Sequence, residues 1–177
     1  AVVRLARTRP EVVRQNASAF DDPRVTVVNE DAFTWLRAGQ QRRDAVIVDM
    51  PDPDSPALAK LYSVEFYGLV ARALSPGALS VVQAGSPYFA AEPFWCVEAS
   101  IAESGLQTTP YHVDVPSFGD WGFVLAGRER PVPHLSPQAP PLRFLTPEVL
   151  QAATVFPADR GRQAEQPSTL MRPRILD

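Results

Sequence analysis

The chain has 177 residues, 45% of them hydrophobic, with a formal charge of −3 and a pI near 5.4. That length supports one domain with a proper core and is short for two. Arginines scattered over an acidic chain exclude a nucleic-acid binder that works through a basic face, because phosphate neutralisation needs clustered Lys and Arg.

Cys96 is the one cysteine, so no internal disulfide forms and a cysteine-type zinc site is excluded. Beside Phe94 and Trp95 it reads as a small buried hydrophobe. His112 and His134 stand far apart and give little material for metal or triad chemistry, so neither a metal nor a prosthetic cofactor is expected. No run approaches the roughly 18 to 20 apolar residues of a membrane span, and no signal peptide opens the chain. The chain reads as soluble and cytoplasmic.

The first elements are helical. "AVVRLARTRPEVVRQN" sets Val3, Leu5, Val12 and Val13 among arginines, which predicts a helix from residue 1 that restarts at Pro10. "DDPRVTVVNED" predicts a turn at Asp22-Pro23 and a short strand over Val25 to Val28. "DAFTWLRAGQ" is a helix with Gly39 as its stop. "DAVIVDM" reads as a strand buried on both faces of a parallel sheet, since Ala45 to Val48 are uninterrupted apolar residues.

"LYSVEFYGLVARALSPGA" carries Phe66, Leu69, Val70, Ala73 and Leu74 at helical spacing and stops at Pro76-Gly77. "ALSVVQAGSP" is the next strand, and "EPFWCVEASIAESGL" is a helix ended by Gly105. "TTPYHVDVP" and "WGFVLAG" are two further strands. The alternation predicts an α/β fold with a parallel sheet finished by an antiparallel pair. Past Gly127, "RPVPHLSPQAPPLRFLTPEVLQ" changes to a Pro-rich arm with a short helix, followed by a flexible tail. The expected division is therefore a sheet domain over 1–127 and an arm over 128–177.

In open α/β sheets, ligands bind beyond the carboxyl ends of the strands. Three such ends are polar here: "NED" at 29–31, "DMPDPDSP" at 49–56 and "QAGSP" at 83–87. Taken singly, Asp31 reads as a helix cap, and Asp52 and Asp54 as turn formers stiffened by Pro51, Pro53 and Pro56. Asp49 is harder to explain in that way, because it follows a strand too apolar to be exposed and a carboxylate at that depth must be paired or used. Together, Asp49 and Asp52 suit a ligand carrying ammonium groups. Tyr62, Tyr111, Phe118 and Trp121 either line an aliphatic spacer and stack on a cation, or pack the core.

"DPRVTVVNEDAFTWL", "DAVIVDMPDPDSPALAKLYSVEFY", "VVQAGSP" and "YHVDVPSFGDWGFVLAG" resemble, in order and spacing, successive motifs of the spermidine synthases, the polyamine aminopropyltransferases. "LRFLTPEVL" is similar to the arm of a bacterial subgroup fused to membrane helices. The resemblance implies a Rossmann-type, methyltransferase-like sheet and aminopropyl transfer from decarboxylated S-adenosylmethionine, the co-substrate, to putrescine. It makes Asp49 the catalytic base and Asp52 the holder of the diamine, with Gln83 and Tyr111 completing that pocket. Asp31 and Ala32 would contact adenine, and Pro56 the nucleoside. Phe118 stands where many relatives place a tyrosine.

The family's Gly-rich turn and ribose carboxylate have no counterpart here, so the N-terminal strands are expected to lie upstream and the chain by itself to be inactive. In the methyltransferase strand order those strands separate Val25 to Val28 from Ala45 to Val48 by roughly 14 Å. The partners expected are a diamine and a nucleoside, with no nucleic acid and no membrane segment in this chain. The resemblance allows a membrane fusion upstream, at the cytoplasmic face, and a homo-oligomer. Two other readings stay open: an S-adenosylmethionine-dependent methyltransferase, and a non-catalytic polyamine-binding module.

Overall fold

The computed structural model describes residues 2–39 and 41–177. Residue 1, where the sequence starts the first helix, and Gln40, at the end of the helix stopped by Gly39, lie outside the described residues. The chain forms two compact units, one ending at Asp31 and the other covering Ala32–Asp177.

The first unit holds α1 (Val2–Thr8) and α2 (Pro10–Gln15), with Pro10 at the first turn of α2, where a missing N–H costs nothing. The Asn16 side-chain amide donates to the Ala6 carbonyl at 2.9 Å and ties the two helices together. The turn at Asp22-Pro23 forms, with Val25 N–H donating to the Asp22 carbonyl at 2.9 Å. The strand expected over Val25 to Val28 does not. These residues join no ladder, and Val25 and Val28 are 43% and 45% exposed. A β-prone run becomes a strand only when a neighbour takes up its backbone groups.

The second unit is built on one sheet of β1 (Arg43–Val48), β2 (Leu74–Gln83), β3 (Gln107–Val115) and β4 (Gly119–Gly127). Its order is β1-β2-β4-β3, with β1 parallel to β2 and β4 antiparallel to both of its neighbours. The expected parallel sheet with a closing antiparallel pair is present. The helices are α3 (Ala32–Ala38), α4 (Pro56–Ala59), α5 (Val64–Ala73), α6 (Ala91–Glu103) and α7 (Pro147–Ala152). Ser63 caps α5 by accepting from Phe66 N–H at 3.2 Å.

β2 begins at Leu74, ahead of the Pro76-Gly77 stop read from the sequence. Arg43 pairs with Leu74 but Ala45 with Leu79, so Pro76 and Gly77, the latter at φ +76°, form a bulge inside the strand. The sequence therefore placed a helix end where the chain has already turned into a strand.

Side chains alternate between two unlike faces. Val46, Val48, Ser80, Val82, Val124 and Ala126 share the face that α5 and α6 cover, around a core of Phe66, Tyr67, Phe94 and Trp95. Ala45, Ile47, Leu79, Val81 and Leu125 share the other, and there Ile47 is 79% exposed and Leu79 41%. The expectation of a β1 strand buried on both faces is thus corrected. Within this unit the helices pack on one side only, and β1 is an edge strand.

The arm after Gly127 packs within the second unit. His112 Nδ1 lies 2.6 Å from Asp120 Oδ1, Nε2 lies 2.9 Å from the Val155 carbonyl, and Arg160 donates to Asp120 Oδ2 at 2.9 Å. The tail is anchored rather than flexible: Ser168 is fully buried, and Ile175 joins the core at 6% exposure. Backbone and side-chain hydrogen bonds, which leave no periodic trace in sequence, replace regular structure there.

Candidate active site

The sheet register assembles the first part of the site. Val48 pairs with Val82, Gln83 with Phe123, and Phe123 with Tyr111, so Asp49, one residue past β1, follows the same line onto the open face. Asp49, Gln83, Tyr111, Phe118 and Trp121 line an open cavity of about 440 Å³. Tyr111 stacks on Phe123 with ring centres 5.2 Å apart, and Phe118 lies 5.1 Å from Trp121. Burial pushes the Tyr111 phenol above its ordinary range, which keeps it a neutral hydrogen-bonding group.

Asp49 itself is exposed, not sunk at the depth its apolar strand suggested. The open face explains this: Ile47, the last residue of β1 on that face, is 79% exposed, so the strand end stays in solvent.

A second cavity of about 360 Å³ is lined by Asp52, Tyr62, Gln83, Phe89, Trp121 and Ile175, among others. Gln83 and Trp121 belong to both walls, so the two acidic residues address adjoining spaces around a shared amide and indole. Tyr62 is almost fully buried and donates to the Pro51 carbonyl at 2.9 Å and the Met50 carbonyl at 3.2 Å. Its hydroxyl therefore fixes the backbone between Asp49 and Asp52. Burial first, then the charges of Asp52 and Asp49, pushes the Tyr62 phenol up to about 12.

The "QAGSP" turn is shaped by close packing. Gly122 N–H donates to the Gly85 carbonyl at 2.7 Å, and Ala84 N–H donates to the Gly122 carbonyl at 3.0 Å. A Cβ on Gly122 would run into the Phe94 ring, so only glycine lets β4 approach this closely. Ser86 Oγ accepts from Tyr88 and Phe89 N–H, both at 3.3 Å, and orients Phe89 over the second cavity.

The structure thus brings Asp49, Gln83 and Tyr111 together, and Asp52 with Gln83. Asp31, Ala32 and Pro56 line neither cavity. Asp31 ends the first unit, Ala32 starts α3 and packs against the core, and Pro56 opens α4 behind Ser55. Asp54 N–H donates to the Asp52 carbonyl at 2.8 Å, consistent with a turn role for that segment. Sequence reasoning missed Phe123, which period-two alternation from Trp121 would have found. It also missed Ile175, for which no local signal exists. A larger groove of about 580 Å³ runs along β1 beside Trp35, Leu36 and Ile47, with no carboxylate among the described residues of its wall. Among the described residues, no cluster of three His, Cys, Asp or Glu side chains is placed to hold a metal ion. No helix among them is long and apolar enough to cross a membrane.

The spermine/spermidine synthase domain matches residues 3–135. The chain belongs to this family. It is 54% identical over its whole length to polyamine aminopropyltransferase 1 of Streptomyces coelicolor, and 52% identical to the polyamine aminopropyltransferase of Mycobacterium tuberculosis. It spans about one third, 34%, of the length of each of these relatives. Among solved structures, a spermidine synthase in complex with the transition-state analogue AdoDATO superposes with a TM-score of 0.74 at 23% identity, over 88% of this chain and 55% of that one. The spermidine synthase of Thermotoga maritima gives the same TM-score at 22% identity, over 88% and 54%. The spermidine-synthase fold, a Rossmann-like methyltransferase sheet, is therefore the fold of this chain.

Proposed function

We propose that this chain supplies the acceptor side of a polyamine aminopropyltransferase that acts in the cytoplasm, with putrescine as acceptor and decarboxylated S-adenosylmethionine as donor. The observation that carries the reading is the pair of adjoining cavities, one with Asp49 and one with Asp52, joined through Gln83 and Trp121. Family membership and the names of the relatives support it.

In this reading the diamine spans the two acidic residues. Asp52 holds the distal ammonium, while Trp121 and Phe118 flank the methylene chain. Asp49 takes the proton from the attacking amine. That amine has a pKa near 10.4, so forming its neutral state costs on the order of 4 to 5 kcal/mol at pH 7, and a carboxylate in hydrogen-bond reach helps by accepting the proton as the nitrogen–carbon bond forms and the nitrogen loses its basicity. The free lone pair attacks the aminopropyl carbon, the carbon–sulfur bond breaks, and methylthioadenosine leaves with the electron pair that neutralises the sulfonium. Gln83 and Tyr111 orient the acceptor. Asp31 and Ala32 are assigned to adenine and Pro56 to the nucleoside, with residues 128–177 acting as an arm on the sheet domain.

Calorimetric titration of the 177 residues with putrescine and with methylthioadenosine, beside product analysis on the longer protein that carries them, tests the assignment. Putrescine binding by the chain, with spermidine formed by the longer protein, supports it. Binding of neither ligand and methyl transfer in place of aminopropyl transfer would each overturn it.

A further inference from the structure

Among the described residues, Asp52 is the one carboxylate in the wall of its cavity, and Pro93, Val97 and Ile175 close part of it with apolar surface. Pro93 and Ile175 also line a separate cavity of about 210 Å³, whose wall carries Glu92, Glu165 and Asp177 together with one cation, Arg174. The two side chains therefore stand as a partition between the acceptor space and a polar one.

Ile175 comes from the last turn of the chain, yet it is held firmly. Its N–H donates to Ser168 Oγ at 3.3 Å, Ser168 N–H donates to Ser100 Oγ at 2.8 Å, and Val64 N–H donates to the Ser168 carbonyl at 2.9 Å. Leu170 N–H donates to Glu65 Oε2 at 3.1 Å. The segment is tied to both α5 and α6, the helices that support the sheet.

From this we propose that Ile175 is a specificity-determining residue that restricts the acceptor to diamines. The inference rests on the aminopropyltransferase reading above. A diamine places one nitrogen at Asp49 and the other at Asp52. A linear triamine brings a third cation into a cavity where, among the described residues, Asp52 is the one carboxylate and Pro93, Val97 and Ile175 present methyl and methylene groups, so that nitrogen would lose its hydration uncompensated. Specificity of this kind, built from a missing partner rather than an added one, is a rejection of the longer substrate. Shortening Ile175 opens the partition on its side, with Pro93 left in place, and lets the third ammonium reach solvent and the polar space beyond.

The test compares kcat/KM for spermidine with kcat/KM for putrescine on the longer protein, in the wild type, Ile175→Val and Ile175→Ala. Both substrates are measured on one preparation, so a loss of folded enzyme cancels in the ratio. The expected result is a rise of at least tenfold in the spermidine-to-putrescine ratio for Ile175→Ala and a smaller rise for Ile175→Val. Should the alanine variant fail to fold, the valine variant, one methylene shorter, carries the test alone. An unchanged or falling ratio overturns the role of Ile175 and leaves the function reading intact. Absence of aminopropyl transfer to either amine by the wild type overturns the function reading, and this inference with it.

Discussion

The loop at 49–56 and the core behind it are built to opposite plans. Asp49, Asp52 and Asp54 are exposed, and the loop's backbone is held by the Tyr62 hydroxyl, the Asp54-to-Asp52 turn bond and the Ser55 carbonyl, which accepts from Leu58 and Ala59 N–H. Behind it, Phe66, Tyr67, Phe94 and Trp95 are 2% exposed or less and meet in edge-to-face contacts such as Phe94 on Trp95 at 4.9 Å. The contrast separates chemistry from stability. The acids stand in solvent, while the backbone between Asp49 and Asp52 is pinned by Tyr62, a buried side chain that also lines the Asp52 cavity.

Substitutions in the two regions should therefore differ in kind. Asp49→Asn is expected to lower kcat/KM for putrescine by roughly 10² to 10⁴ while moving unfolding stability by less than about 0.5 kcal/mol. Kinetics paired with urea denaturation would break the contrast if both fell together. Gly122→Ala reverses the pattern: its Cβ collides with Phe94, 3.0 Å from the Gly85 carbonyl, and is expected to cost about 1 to 3 kcal/mol in the same denaturation assay.

Tyr62→Phe lies on the boundary. Loss of two carbonyl bonds should cost about 1 kcal/mol and raise KM for putrescine through a loosened Asp52. Its pH signature has a definite sign. A phenol whose folded pKa is pushed from an ordinary 10 up to about 12 binds its proton more tightly when folded, so its contribution is present below pH 10 and lost as pH rises toward 12. Wild-type stability should fall more steeply than that of Tyr62→Phe across that window. Tyr67→Phe is the smallest change. Its buried hydroxyl has no hydrogen-bond partner among the described residues, so its removal should be neutral or slightly stabilising, measured by thermal melting.

Much of the second unit is legible in sequence because its elements are local. Helical spacing marked α5 and α6, Gly105 at φ +93° marked the end of α6, and the strand ends named Asp49, Asp52 and Gln83. What depends on pairing partners was not legible. Val25 to Val28 have strand chemistry without a ladder, and Ile47 is as apolar as a buried residue while lying on the open face. The order β1-β2-β4-β3 that aligns Gln83 with Phe123 and Tyr111 is likewise a long-range fact. Tyr62 reads in the sequence either as a lining aromatic or as core packing; the structure shows it buried and lining the Asp52 cavity, and its hydroxyl acts on carbonyls 11 and 12 residues away, for which the sequence has no signal. Ile175 is invisible for the same reason, since its neighbours in space are remote in the chain.

β1 carries one further consequence. It is an edge strand, with an apolar side chain, Ile47, 79% exposed beside its unladdered border. Edges of that kind act as templates for a foreign strand, and soluble proteins usually blunt them with charge or cover. The strand that delivers Asp49 is thus also the point from which a concentrated solution of these 177 residues would start to aggregate.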